Sequence, residues 1–249
     1  MQLIVNMKKP KLILDLGNSR WKLALFQGKE LEQLKIVDSN KPGEAISWIR
    51  SLAGFSSCLL SSVVEVPAAM TQLLKQMGNY YELNESSSLP ISNIYLTQSS
   101  LGKDRLAAAV GASTIFPGKN ILVFIAGTCI THELINTQKE YLGGAIAPGI
   151  RMRLQALHTF TDKLPLVPFL EKDIMIGRDT ESSILSGVLN GCVLEMEGFI
   201  GHYRRLFPDL QIILSGGDAD YFEKRMKSSI FAAPNIVLKG LNEILDHNA

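Results

Sequence analysis

The chain has 249 residues, 46% of them hydrophobic and 20% charged. That leaves ample apolar surface for a core and excludes a disordered chain, while the length falls between one domain and two. With 25 basic residues against 24 acidic the net charge is +1, which excludes a basic footprint for nucleic acid and leaves room only for a local anion site.

In chain order, Lys11 to Asp15 reads as a buried strand, Gly17-Asn18-Ser19 as a turn and Trp21 to Phe26 as a second strand. Gln27 to Glu30 is a turn and Leu34 to Val37 a third strand, which completes a meander. Glu44 to Leu52 has helical spacing, Ser57 to Val64 is a strand, and Pro67 opens a helix to Met77. Asn84 to Ser88 is a loop, and an Ala-rich helix runs from Asp104 to near Phe116. The pattern then restarts: strand Asn120 to Ala126, turn Gly127-Thr128, strand Ile130 to Ile135, turn Thr137 to Glu140, and a third strand from Tyr141 into Gly143-Gly144. Gly17 and Gly127 lie 110 residues apart, as do Glu30 and Glu140. Leu59-Leu60-Ser61 resembles Ile213-Leu214-Ser215 at a larger offset, as an insertion around 145–180 would produce. A duplication follows, with halves 1–116 and 117–249, each a mixed sheet with helices on its faces, meeting across a ligand-binding cleft.

The cysteines, Cys58, Cys129 and Cys192, make no framework and no C-x-x-C pair, and read as buried small hydrophobes in a reducing compartment. No apolar run reaches ~18 residues, so no membrane span is expected. Met1 to Pro10 places Lys8 and Lys9 after its apolar residues, unlike a secretory leader. The expected location is the cytoplasm. No pair among His132, His158, His202 and His247 has metal-ligand spacing.

Chemistry concentrates in the turns. In Asp15-Leu16-Gly17-Asn18-Ser19-Arg20-Trp21-Lys22, successive N–H groups form an anion-binding concavity, Lys22 neutralises phosphate, and Asp15 suits Mg²⁺ directly or through water. The same segment reads equally as a hairpin with a structural glycine and an exposed lysine. Gly127-Thr128 offers N–H groups and a hydroxyl to phosphate, but the position equivalent to Asp15 is Ile125, which binds no cation. Gly102-Lys103-Asp104-Arg105 opens a helix, either as a capping Asp with a solvated Arg or as a general base with a carboxylate clamp. Gly216-Gly217 is an ordinary strand-to-helix turn or a platform for a base or ribose. Gly177-Arg178-Asp179-Thr180 opens a long helix to about Leu206, with Thr180 a good N-cap and a small face at Gly187, Asn190 and Gly191 suited to close packing within the subunit or across a dimer.

Taken together, D-L-G-N-S-R-W-K at 15–22, L-G-K-D-R at 101–105, G-T-C-I-T at 127–131, G-G-A-I-A-P-G at 143–149, L-P at 164–165, I-G-R-D-T at 176–180 and S-G-G at 215–217 resemble the type III pantothenate kinases of the actin, hexokinase and acetate-kinase superfamily, over residues 11 to about 245. The resemblance implies an α/β fold of duplicated ribonuclease H-like (actin-like ATPase) domains with mixed five-stranded sheets and an interdomain cleft. It implies ATP-dependent phosphorylation of pantothenate to 4′-phosphopantothenate, the first step to coenzyme A, with Mg²⁺. By position, Asp15 to Lys22, Gly127, Thr128, Gly216 and Gly217 bind ATP. Asp104 is the proton acceptor, and Tyr95, Gly102, Lys103, Asp104 and Arg105 bind pantothenate, with Arg105 on its carboxylate. Thr180 reaches the substrate from the partner subunit of a homodimer. Ile125 stands where the family has the Asp that binds K⁺ or NH₄⁺, Cys129 replaces an Ala, and Glu133 stands where an Asp is common. Use of the monovalent cation is thereby put in doubt. Besides a working kinase, Ile125 admits a second reading, a weakened homologue acting as a non-catalytic binding or regulatory protein.

Overall fold

The computed structural model describes residues 9–249; most of the Met1 to Pro10 stretch, residues 1–8, lies outside the described residues. The chain forms two units. One runs to Thr114 and takes back Ile236–Ala249, and the other is Ile115–Asn235. The first carries β1 (Lys11–Leu16), β2 (Arg20–Gln27), β3 (Glu30–Asp38), α1 (Pro42–Ser51), β4 (Ser57–Ser62), α2 (Ala68–Met77), β5 (Asn79–Glu82), a two-residue β6 (Ser92–Asn93) and α3 (Lys103–Ile115). The second carries β7 (Ile121–Ala126), β8 (Cys129–Ile135), β9 (Glu140–Pro148), α4 (Ile150–Thr159), α5 (Thr180–Leu206), β10 (Gln211–Ser215), α6 (Ala219–Glu223) and β11 (Phe231–Ala232), and the chain closes with α7 (Ile236–Asn248).

The first sheet has the order β3-β2-β1-β4-β5, and the second unit's own strands run β9-β8-β7-β10-β11. In each, the central strand pairs antiparallel with the next strand in sequence and parallel with the later one. β1 and β7 both begin and end 110 residues apart, and β3 and β9 both start at a glutamate, Glu30 and Glu140. Asp15 lies opposite Lys22 and Ser61. Ile125 lies opposite Thr131 and Ser215. The duplication read from two turns is a duplication of strand register.

β1 is central and almost wholly buried, with an apolar run at Leu12–Leu14, as befits a strand covered on both faces. Leu12, Leu14 and Leu16 pack with Trp21, Leu23, Ile49, Met70 and Leu74. On the same unit lies α7, which the sequence division had placed with residues 117–249. Its apolar face is buried, the Lys11 amine bonds both oxygens of Asp246 at 2.7 Å, and Asn242 donates to the Gly28 carbonyl. α3 and α7 cross with glycine against backbone: a Cβ on Gly240 would lie 1.8 Å from the Ala107 carbonyl oxygen. In the second unit Leu122, Phe124 and Ala126 pack against Leu185, Leu189, Cys192 and Met196 of α5.

Several boundaries differ from the sequence reading. β3 starts four residues before Leu34, because its polar residues Glu30, Glu32 and Gln33 lie on an edge strand with water beside them. β5, a short N-Y-Y-E segment, was not anticipated, and α4 forms within the stretch read as an insertion. The N-cap of α5 is Asp179 rather than Thr180: the Asp179 carboxylate accepts from the Ser182 N–H at 2.8 Å, and the Ser182 hydroxyl oxygen accepts from the Asp179 N–H. α5 is the one described helix long and apolar enough by composition to cross a membrane, although seven of its residues are buried within the fold as a core helix's are. Cys58 and Cys192 are buried, and burial pushes their thiols up to about 12 and about 11; Cys129 is only half-buried, at the first position of β8 beside the Gly127-Thr128 turn.

Candidate active site

In the first unit β1 delivers Asp15 to its carboxyl end, half-buried, in register with Lys22. Burial raises the Asp15 carboxyl from the ordinary 3.8 to about 6; the Lys22 ammonium opposes that rise and the Asp104 carboxylate adds to it. Two carboxylates and one ammonium therefore act on one another at the end of β1. The turn after it is closed by the Gly17 N–H on the Arg20 carbonyl, and the Asn18 and Ser19 carbonyls are tied to Ser39. The expected three-donor concavity thus loses Gly17 to the turn itself and keeps the N–H groups of Asn18 and Ser19. Leu16 and Trp21 turn into the core, Arg20 is exposed, and the Trp21 indole N–H is buried without a partner among the described residues.

Asp104 stands exposed in the first turn of α3. One of its oxygens accepts from the Arg105 N–H at 2.9 Å. Arg105 is buried, unlike the solvated Arg of the plainer reading, and its guanidinium lies 5.8 Å from the centre of the Tyr95 ring. Tyr95, Gly102, Lys103, Asp104 and Arg105 thus belong to one unit with Asp15 and Lys22, and the Tyr95–Arg105 contact and the Asp15–Asp104 interaction join them in pairs.

In the second unit three turns converge. The Gly127 N–H closes its turn on the Cys129 carbonyl, the Gly149 N–H donates to the Thr128 carbonyl at 3.0 Å, and the Asp218 N–H donates to the Ala126 carbonyl at 3.0 Å. Gly216, with φ of 105°, lies so close that a Cβ would meet the Ala126 carbonyl oxygen at 2.1 Å. A Cβ on Gly127 or Gly217 would meet nothing within 4 Å, so open space lies over both. Gly127, Thr128, Gly216 and Gly217 are brought together as expected, and Gly149 joins them. Arg151 and Phe169, which no local sequence signal marks, also belong here: Arg151 bonds the buried Asp218 at 2.7 Å and lies 4.8 Å from the centre of the Phe169 ring.

Ile125 is a half-buried aliphatic side chain between Thr131 and Ser215, with no carboxylate in its place. Glu133 does not substitute for one. It is fully buried, and its carboxylate accepts from the Tyr141 hydroxyl at 2.6 Å. Thr180 is exposed at the start of α5 and lines an apolar cavity of about 1330 Å³ with Met152, Leu157, Phe160 and Ile184. Gly187 has open space over it, whereas the Asn190 amide is spent on the Ile174 carbonyl, so Asn190 is not part of an open small-residue face.

A model of the type III pantothenate kinase family matches residues 11–202. A type III pantothenate kinase of Phocaeicola vulgatus is 40% identical over 238 residues, covering 95% of this chain and 98% of that one. The chain belongs to the type III pantothenate kinase family. Two solved structures share the fold of this kinase at low identity. One is described as a Baf family transcriptional activator from Campylobacter jejuni, with 19% identity, a TM-score of 0.61, and 95% and 98% of the two chains covered. The other is described as an N-acetylmannosamine kinase from Listeria monocytogenes, with 13% identity, a TM-score of 0.53, and 96% and 100% covered. The kinase therefore has the two-unit α/β architecture of the actin-like ATPases and sugar kinases, as the strand orders indicate. Its relatives are named as kinases, and nothing among them supports the reading of a non-catalytic homologue.

Proposed function

We propose that this chain transfers the γ-phosphoryl group of ATP to the primary hydroxyl of pantothenate, giving 4′-phosphopantothenate and ADP, the first step of coenzyme A biosynthesis. The observation that carries the chemistry is the meeting of Asp15, Lys22 and Asp104 in one electrostatic group, beside an Arg105 that ordinary surface arginines do not resemble. Asp104 takes the proton of the attacking hydroxyl as its oxygen bonds to the γ-phosphorus and the bond to the ADP oxygen breaks. Tyr95, Gly102, Lys103 and Arg105 hold pantothenate, with the Arg105 fork on its carboxylate. The N–H groups of Asn18 and Ser19 and the Lys22 ammonium serve the phosphates, and Gly127, Thr128, Gly216 and Gly217 serve the nucleotide.

Asp15 fits Mg²⁺, which takes one or two carboxylates and keeps its waters. A carboxyl lifted to about 6 by burial and a neighbouring carboxylate is a group that a cation would relieve. Mg²⁺ so held would neutralise charge on the phosphates. The Ile125 side chain offers a monovalent cation no ligand, so turnover is independent of K⁺ and NH₄⁺. Thr180, exposed beside an apolar cavity, acts on the substrate of a second copy in a homodimer, and the enzyme works in the cytoplasm. A coupled assay for ADP release dependent on both pantothenate and Mg·ATP tests the reading. Absence of turnover over a wide ATP range, in K⁺ and in Na⁺ buffers, overturns it.

A further inference from the structure

Asp218 is 8% exposed at its side chain, whereas its partner Arg151 is 63% exposed. A buried carboxylate needs a partner, and removing that partner leaves an uncompensated charge. The guanidinium is fixed on a second side as well, over the Phe169 ring, and that ring is itself held edge-on by the buried Tyr221 at a centroid distance of 5.4 Å. An exposed arginine is ordinarily mobile; here the flat guanidinium is clamped by charge at its edge and by a ring on one face. Its carboxylate partner follows directly on Gly216-Gly217, and open space lies over Gly217.

Resting on the kinase reading above, we propose that Arg151 is a nucleotide-binding residue whose free face stacks on the flat base of the phosphoryl donor, with Asp218 and Phe169 as positioning residues. The charge of Arg151 is already matched by Asp218, which favours a neutral aromatic base over a phosphate as its ligand. Arginine planes stack on bases as aromatic rings do, and a purine offers more area than a pyrimidine.

The test is calorimetric binding of ATP, UTP and inorganic triphosphate to the full chain, without turnover. Arg151→Ala is expected to weaken ATP about 5- to 100-fold, to weaken UTP less, and to leave triphosphate within about twofold. Arg151→Lys keeps the ion pair but lacks the plane, and is expected to lose ATP affinity in the same way. Phe169→Leu, which leaves Asp218 paired, gives a smaller loss in the same direction and serves if Arg151→Ala unfolds. Equal losses for ATP and triphosphate, or full rescue by Lys, make Arg151 a phosphate ligand and overturn the proposal. ATP binding unchanged in all three variants reduces the pair to a structural one and overturns it alone. ATP failing to bind the unsubstituted chain overturns the kinase reading with it.

Discussion

Replacing Asp15 by Asn should make the protein more stable while abolishing its chemistry. The Asp15 carboxyl is raised from 3.8 to about 6, chiefly by burial, so the folded state holds this proton more tightly than the unfolded state. The stabilising contribution of such a group is complete below the unfolded value and is lost as pH rises through the folded one. Ionising Asp15 in the folded protein at neutral pH thus costs about 3 kcal/mol, at ~1.4 kcal/mol per tenfold change in the proton equilibrium. Because the side chain is only half-buried, partial water access brings this to about 1–2 kcal/mol. The neutral amide has the same shape and escapes that cost, which corresponds to a rise in Tm of roughly 2–8 °C at neutral pH. Unfolding in urea at about pH 3.5 and about pH 7.5 measures it: the variant should gain at neutral pH, and the gain should shrink toward zero as both forms become neutral in acid. A variant no more stable than the parent at neutral pH, or equally favoured at both values, would refute the electrostatic account of this corner of the sheet.

Asp104→Asn should lower kcat about 10²- to 10⁴-fold with the KM values for ATP and pantothenate little changed, as steady-state kinetics would show for the loss of a general base. Turnover should be the same within about twofold in K⁺ and Na⁺, because an aliphatic side chain fills the position equivalent to Asp15; a strong K⁺ requirement would mean that another ligand set serves. Gly240→Ala should destabilise by about 1–3 kcal/mol in urea titration, since its Cβ would overlap the Ala107 carbonyl oxygen and force α3 and α7 apart. Sedimentation of the full chain should show a dimer, and substitutions at Thr180 should raise the KM for pantothenate without unfolding the protein.

The parts legible in the sequence are those whose physics is local. A buried central strand such as Leu12 to Leu16 and a glycine-bearing turn announce themselves in a few residues, and the same signals repeated 110 residues on disclose the second sheet. Asp15, Lys22, Asp104 and Arg105 were legible because they sit beside such turns or caps. The division at 116/117 misplaces α7 because its packing against β1 is set by partners more than two hundred residues apart, such as Lys11 and Asp246. The Arg151–Asp218 pair, separated by 67 residues, likewise leaves no mark on the sequence near either member. α4 has no counterpart in the sequence reading because its helical spacing lies inside a stretch that the repeat explains as an insertion.

The return of α7 to the first unit sets an order of assembly. Residues Ile115–Asn235 are contiguous and hold every strand and helix of their own unit as soon as they leave the ribosome. The earlier residues emerge first yet stay incomplete, with Lys11 unpaired and the Gly28 carbonyl uncovered, until Ile236–Ala249 has been made. Synthesis therefore inverts the usual order of domain completion: the glycine turns of the second unit are finished before the strand that carries Asp15 is closed over.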